Sequence, residues 1–450
     1  MARIAIVTRL AAFRDALVIA AATGWIQLEQ VESDEGEDAE ALRRLHAAGI
    51  REVAPLLARS ATGAADLERT QRADLLAGEV ELERRSRAAV FHGDFAVAVG
   101  WMPSDRVQEV KKRLAAAAAD LVELPCPPNV DPPTLLRRPR AGDSFRPLVE
   151  TYGTVRYADL DPTAFTAVSF VLMFGMMFAD VGHGLLLALA GVLIRLLPHP
   201  RLASLRRYWL LPTAAGLVAA GFGAAYGEAF GPTGLVPALW LQPLQDPVRL
   251  LVVGVIVGSV LLAVSYLIGT VNRWRESGPW AAAYSSSGLA GLVTFLAVGG
   301  MVAAVYWDIR PLLVVSLAAF AFGLLMIFIG LWGEAGGGSK GVLQAIVELF
   351  NAVIGLASNS ISFARLAAFG MVHAAIGELV WSATSGLWRD LWPVAALVFL
   401  VGNAVAFSLE LLVAGVQALR LEYYELFSRI YQGEGRPFEP WQVQPAKEGA

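Results

Sequence analysis

The residues best suited to chemistry in this chain are polar side chains spaced along an apolar segment, residues 342–383. Arg365 lies near its middle, where a charge at mid-bilayer costs at least about 2.5 kcal/mol. On a helix, a single polar stripe comprises Asn351, Ser358, Ser362, Arg365 and His373, which fall within about 80° of one another, with Glu348 beside them. Because arginine does not deprotonate there, the stripe predicts an ion path with a fixed positive charge.

A second polar stripe follows in the apolar segment 391–430. Asn403, Glu410 and Gln417 are spaced by seven and share one helix face, and Arg420 follows Gln417 by three residues. The segment therefore offers a carboxylate near mid-membrane and an arginine closer to the cytoplasm. These are the groups that a proton or cation path requires.

Each of these residues also has a structural interpretation. Arg365 could pair with Glu410 or another carboxylate, and Glu410 could be a neutral or salt-bridged partner. Arg420 could extend to the cytoplasmic interface. His373 fits a wet cavity as well as a proton relay.

An earlier apolar run, residues 164–197, is interrupted by Asp180 and His183. We interpret these two residues as a structural hairpin motif that bridges the break between two short helices. Glu228 and Glu378 lie near helix ends and are interpreted as solvated.

Other kinds of chemistry lack a motif. The run GGGSK at 336–340 is not followed by the Ser or Thr of a phosphate loop, and no strand precedes it. The single cysteine, Cys126, excludes an intrachain disulfide and a cysteine-based metal site. The sequence has no basic stripe of the kind that indicates nucleic-acid binding. The N-terminus lacks the long apolar region of a signal peptide. We therefore predict no cofactor, no metal site and no nucleotide site.

The elements that must position these residues are membrane helices. The chain has 450 residues, 56% hydrophobic and 17% charged, whereas soluble domains have roughly 25% charged residues. Residues 1–163 contain 46 of the 76 charged residues. We predict a cytoplasmic α/β domain at 1–132, a linker at 133–163 and a membrane domain at 164–450.

Apolar runs and positive charge predict the topology. Arginines precede and follow 164–197, so this stretch crosses twice if both groups are cytoplasmic. The fold class is an α-helical polytopic membrane protein with both termini cytoplasmic, and the last two of its eight helices are long and tilted. The predicted helices are 164–180, 182–197, 208–230, 247–271, 284–306, 311–332, 342–383 and 391–430.

The N-terminal domain reads as alternating strands and helices. Its predicted order is strand 2–8, helix 10–22, strand 25–31, polar helix 64–90, strand 95–101, helix 104–119 and strand 120–124. This order suits a mixed or antiparallel sheet of the ferredoxin-like kind.

Several of these motifs resemble one family. Residues 360–373 (SISFARLAAFGMVH) resemble the signature helix of subunit a of V-type ATPases, called subunit I in the V/A-type enzymes. The run 174–184 (FGMMFADVGHG) resembles its first hairpin. Glu410 with Arg420 resembles its last helix. Further matches are PTLLRRP at 133–139, PLVETYG at 147–153 and GEGRPFEP at 433–440.

The resemblance implies a non-catalytic stator subunit of a rotary ATPase, coupled to ATP hydrolysis or synthesis on other subunits. Arg365 would face the carboxylate of a c-ring and separate two half-channels for an ion, which we expect to be a proton. Arg420 would be a second functional arginine, with Gln417 beside it. Glu410 and His373 would line the external half-channel. Topology places Glu348 and Ser358 on the cytoplasmic side. Implied partners are c-ring, peripheral-stalk and central-stalk-proximal subunits and lipid, in a prokaryotic plasma membrane.

One departure from the family keeps alternatives open. About 160 residues precede the membrane region, and the family's soluble region is usually more than twice as long, so we expect a contracted version with Trp101–Pro103 as a remnant turn. A non-conducting structural or assembly protein of the same descent is the main alternative. A stand-alone ion carrier is a third.

Overall fold

The computed structural model describes residues 1–29, 54–58, 67, 69, 72–127, 130–135, 144–431 and 435–445. The chain divides into two compact units, Met1–Leu136 with Gly435–Ala450, and Arg137–Glu434. The arginine-rich stretch 137–140 and the residues 433–434 of the C-terminal motif lie outside the described residues.

The first unit contains a small sheet covered by helices. Its strands are β1 (Ala2–Arg9), β2 (Gln27–Leu28), β3 (Leu56–Leu57), β4 (Val90–His92), β5 (Phe95–Met102), β6 (Asp120–Leu124) and β7 (Gln444–Pro445). Its helices are α1 (Phe13–Thr23), α2 (Ala73–Ser86) and α3 (Val107–Leu114). The main sheet has the order β2-β5-β1-β6 with antiparallel neighbours, which is the ferredoxin-like arrangement.

The C-terminal residues belong to this unit and not to the helical one. Trp441 and Val443 are buried in the core of the sheet, the Trp441 N–H donates to the Ile26 carbonyl at 2.9 Å, and β7 pairs in parallel with β3. The sequence interpretation had assigned residues 435–450 to the membrane domain. They lie elsewhere because their large apolar side chains complete the sheet's core.

The predicted helix 104–119 is shorter in the structure. Residues Ser104–Arg106 form a 3-10 turn, α3 ends at Leu114, and Ala118 adopts a left-handed φ of 53°. Ser104 makes no capping hydrogen bond. A run of five alanines has helical propensity, yet the turn is needed to return the chain into β6.

The second unit is helical. Its helices are α4 (Arg146–Glu150), α5 (Thr163–Met177), α6 (Val181–Leu196), α7 (Leu210–Tyr226), α8 (Pro247–Tyr284), α9 (Leu289–Tyr306), α10 (Arg310–Glu334), α11 (Gly338–Ser362), α12 (Ala364–Leu387), α13 (Trp392–Leu421) and α14 (Ser428–Ile430). Six segments of the described chain are long and apolar enough to cross a membrane, and α5 and α6 are shorter apolar helices. The predicted fold class, a polytopic membrane protein with a small N-terminal sheet domain, is confirmed, and the count of eight spans stays a prediction.

Two local breaks shape the last two predicted helices. The predicted segment 342–383 consists of α11 and α12, which meet at Phe363. Its ring is fully buried against Gly258 of α8, where an added Cβ would lie 2.0 Å from the ring. The last helix, α13, continues through a π-helical turn at Glu422–Phe427. In this unit α12 packs against α13, α8 and α5.

Candidate functional site

The break between α5 and α6 is organised by Asp180, which is fully buried. One carboxylate oxygen accepts from the His183 N–H at 2.8 Å and caps α6, and the other accepts from the Gly231 N–H at 3.0 Å. Aspartate is a preferred residue at this capping position. Asp180 therefore ties the start of α6 to the loop that follows α7.

That loop lies directly on α12. Phe230 and Gly231 have φ values of 53° and 87°, and a Cβ on Gly231 would lie 2.7 Å from the Gly377 carbonyl. Only glycine fits both this conformation and this approach. The loop carries Glu228 into the protein, where its side chain is 5% exposed.

Four titratable groups meet at this point. His373 Nδ1 and Glu410 Oε2 share a hydrogen bond of 2.5 Å. His373 Nε2 lies 3.6 Å from Glu228 Oε2 and 4.0 Å from Asp180 Oδ2. All four residues are buried. The arrangement is a relay of carboxylates around one imidazole, which is suited to accepting and passing on protons.

His183 completes what we call the acid–histidine cluster, formed by Asp180, His183, Glu228, His373 and Glu410. Its ring centroid lies 6.1 Å from that of His373. Aromatic rings of Phe178, Phe230 and Phe407 surround it at 5.4–6.0 Å. The cluster is therefore polar in its centre and apolar around His183.

Three of these groups could together hold a metal ion. Ligand atoms of Asp180, His183 and His373 all lie within 4.8 Å of one another. The sequence interpretation predicted no metal site, because it found no zinc motif, and His373 is distant in sequence from Asp180 and His183.

A second polar region lies where α11 meets α12. An open groove of about 320 Å³ is lined by Ser358, Ile361, Ser362 and Arg365, and we call it the arginine groove. Arg365 is half-buried, and its Nη1 atom has no hydrogen-bond partner in the part of the chain that the structure describes. Three residues of the predicted stripe thus come together.

The end of α13 and its π turn contribute to the same region. Gln417 is half-buried, and its Oε1 accepts no hydrogen bond from the described residues, whereas Arg420 is exposed. Glu425 is 6% exposed, interacts with the Ser362 hydroxyl and is within electrostatic range of Arg365 and Arg420. The region therefore combines two cations and one carboxylate.

Sequence reasoning missed Glu425 and misplaced Glu228. On an α-helix Glu425 would lie roughly 140° around from Arg420, but the π turn aligns residues five apart. The interpretation of Glu228 as a solvated residue is wrong, because the loop after α7 folds it inward. The one feature of the sequence that could have indicated the burial of Glu228 is its position between an apolar helix and a glycine-rich loop.

The structure also separates residues that the sequence grouped. Glu348 hydrogen-bonds to Gln344 of its own helix at 2.9 Å, and within the described chain no contact joins it to the arginine groove. Glu410 pairs with His373 and not with Arg365. Among the residues that the structure describes, neither Arg365 nor Arg420 forms an ion pair.

Comparisons with known proteins agree with these motifs. Residues 89–203 match the V-type ATPase 116kDa subunit family. A-type ATP synthase subunit I of Pyrococcus horikoshii is 27% identical over 76% of this chain and 53% of its own length. The subunits of the same name from Archaeoglobus fulgidus and Methanocaldococcus jannaschii are 26% and 28% identical, over 77% and 76% of this chain and 58% and 54% of their own lengths.

The chain spans about half the length of the curated relatives it matches. The similarity extends over about three quarters of this chain, and the residues of the hairpin motif at 174–184 fall within the stretch that the family model matches. Together these matches make the chain similar to the V-type ATPase 116kDa subunit family and to archaeal A-type ATP synthase subunit I.

Proposed function

We propose that this chain is the membrane subunit of a rotary ATPase that provides two half-channels for protons against a rotating ring of partner subunits. The observation that carries the proposal is Arg365, a permanent cation in a membrane helix, half-exposed on an open groove and without an ion pair in the described chain. Such a charge calls for a carboxylate from another molecule. The names of the archaeal relatives point to the same kind of complex.

The electrostatics of the arginine groove suit a moving carboxylate. A ring carboxylate is protonated while it faces lipid, because burial disfavours its charged form. Beside a guanidinium the ionised form is favoured instead, so the proton is released there and rebinds once the carboxylate has passed. The fixed charge of Arg365 also repels protons that would cross directly between the two sides.

The two polar regions divide the path between them. His373 follows Arg365 by eight residues, which is about 12 Å along a helix. The acid–histidine cluster forms the external half-channel. The arginine groove and Glu425 face the cytoplasmic one, with Glu348 farther along α11.

We also propose a membrane, a topology and a set of partners for the chain. The chain lies in a prokaryotic plasma membrane with eight spans and both termini in the cytoplasm. Its partners are the proton-carrying ring and the peripheral- and central-stalk subunits of the complex. ATP binds to other subunits.

The direct test replaces Arg365 by glutamine in the intact complex. We expect ATP-driven proton uptake by reconstituted vesicles to fall below about a hundredth of the wild-type rate, because the arginine groove then lacks the cation in its lining that favours the ionised ring carboxylate. Co-purification of the other subunits should be unchanged.

Arg249→Gln is the matched control, because Arg249 is an exposed arginine near the start of α8. It should retain wild-type uptake. Full coupled uptake by Arg365→Gln would refute the proposal. A wild-type chain that purifies with stalk subunits but supports no uptake would favour the non-conducting assembly role instead.

A further inference from the structure

The acid–histidine cluster contains one residue that proton transfer between carboxylates does not require. His183 is 3% exposed, and neither of its ring nitrogens makes a hydrogen bond of normal geometry within the described chain, although the Asn403 amide is near. A buried imidazole normally has a partner for its polar atoms. Its position beside Asp180 and His373 suggests what that partner is.

The second histidine, His373, has surroundings typical of a metal ligand. His373 Nδ1 shares a hydrogen bond with Glu410 Oε2 at 2.5 Å, and among the described residues its Nε2 has no hydrogen-bond partner. Ligating histidines characteristically donate their other ring N–H to a carboxylate, which fixes the tautomer and raises the basicity of the ligating nitrogen. Glu410 fills that supporting position.

The ligand set identifies the class of metal. Two imidazoles with carboxylate oxygens suit Zn²⁺, which is held by four ligands at about 2.0–2.2 Å. Asp180, His183 and His373 supply three ligand atoms within 4.8 Å of one another. Glu228 Oε2 would supply the fourth, since it lies 3.6 Å from His373 Nε2 and accepts no hydrogen bond from the residues that the structure describes. These atoms would draw together by an ångström or more around the ion.

Charge balance favours the same conclusion. A dication inside a protein requires nearby negative charge. The carboxylates of Asp180, Glu228 and Glu410 provide it within a single buried cluster. We propose that the acid–histidine cluster is a Zn²⁺ site, with Asp180, His183, Glu228 and His373 as ligands and Glu410 supporting His373.

Occupation of this site would stop transport. This consequence rests on the proposed function, because His373 cannot exchange protons while its Nε2 binds a metal. Zn²⁺ entering from the external side would therefore be a reversible inhibitor of the complex. The binding of Zn²⁺ itself is independent of transport and can be measured without it.

The primary experiment is equilibrium dialysis of the purified complex against ZnCl₂ after treatment with a chelator, with metal counted by mass spectrometry. We expect one high-affinity Zn²⁺ per copy of this chain and an X-ray absorption spectrum with two imidazole ligands. His183→Gln should weaken the binding at least about tenfold. His199→Gln, which changes an exposed histidine, should leave the binding unchanged.

Because His183 is buried, a second variant guards against misfolding. Glu228→Gln has nearly the same shape and should also weaken Zn²⁺ binding at least about tenfold, with the elution profile of the wild-type complex. Equal Zn²⁺ binding by the wild type and both variants would overturn the site, as would the absence of stoichiometric binding to the wild type.

The transport experiment compares each variant with its own metal-free rate. Zn²⁺ on the external side should reduce proton uptake by the wild type by more than about tenfold, and His183→Gln should require at least about tenfold more Zn²⁺ for the same reduction. Arg365→Gln should still bind one Zn²⁺. If Arg365→Gln retained coupled uptake while Zn²⁺ binding remained, the proposed function would fail and the metal site would stand.

Discussion

The acid–histidine cluster and the arginine groove are both polar regions in apolar helices, but their charges are handled in opposite ways. In the cluster, carboxylates and imidazoles from α6, α12, α13 and the loop after α7 contact one another and are buried. In the groove, Arg365 is half-exposed and has no ion pair within the described chain. The carboxylates of the cluster lie within 4.0 Å of His373 in the same chain, whereas the described chain places no ion-pair partner beside Arg365.

This difference suits the two regions to different parts of the proposed proton path. Buried groups that contact one another form a coupled network, so a proton transfer at one group changes the energy of the others. A cation left open can act on any carboxylate that moves past it. The comparison therefore makes different predictions for substitutions in the two regions, and these can be ordered by the size of the expected effect.

After the loss expected for Arg365→Gln, the next largest effect should follow from substituting the histidine and the glutamate of the cluster. Glu410→Gln and His373→Gln should each lower proton uptake at least about tenfold, because each removes a group that exchanges protons. The double variant should be no more than about twofold slower than the slower single variant, since the 2.5 Å pair acts as a unit. Uptake rates of the four proteins provide the measurement, and multiplicative losses would show that the residues act independently.

A smaller effect should follow from neutralising the carboxylate near the arginine groove. Glu425→Gln should lower uptake about two- to tenfold, because Glu425 is buried within electrostatic range of Arg365 and Arg420. Glu348→Gln is the matched comparison on α11 and should cause a smaller loss. If Glu348→Gln were the slower variant, the cytoplasmic path would follow α11 instead of the π turn.

A change in stability should distinguish a buried cap from an exposed one. Asp180→Ala leaves two backbone N–H groups without their acceptor and should destabilise the second unit by about 2–4 kcal/mol. Asp161→Ala removes an exposed cap at the start of α5 and should lower stability by about 1 kcal/mol. Melting temperatures in detergent compare them, and equal losses would mean that Asp180 does not hold the hairpin together.

The smallest effect concerns a buried carboxyl outside the membrane helices. Burial, and then the neighbouring Glu276 carboxylate, raise the pKa of Asp159 to about 7. Because its usual value is near 3.8, the folded protein binds more protons here than the unfolded chain over that interval. Stability therefore falls as the pH rises from about 4 through 7.

Asp159→Asn should remove this dependence, so the wild type should lose about 2 °C or more of melting temperature relative to the variant between pH 5 and pH 8. Asp246→Asn, at an ion pair near the start of α8, should not change the slope. A wild-type melting temperature that rises relative to Asp159→Asn over this range would contradict the assignment. The experiment therefore tests whether burial of a carboxyl group in this chain makes its stability depend on pH.

The sequence by itself determined the membrane class, the approximate helices and the candidate arginine. These follow from local properties, because a membrane span requires about 20 apolar residues. The predicted span 311–332 falls within Arg310–Glu334, and the predicted strand 2–8 falls within Ala2–Arg9. The polar stripe followed from helical periodicity alone, and the structure places Ser358, Ser362 and Arg365 in one groove.

Only the tertiary structure decided which polar residues meet. Four separate parts of the chain contribute Asp180, Glu228, His373 and Glu410, which close helix packing brings together. Sequence periodicity does not predict contacts between such distant segments. The break at Phe363 and the π turn at Glu422–Phe427 changed the helix phase and brought Glu425 toward Arg365. The return of Trp441 to the sheet was likewise decided by an unfilled core. These contacts depend on how surfaces that are distant in sequence pack together. The helices, by contrast, follow from the hydrophobicity of each segment by itself.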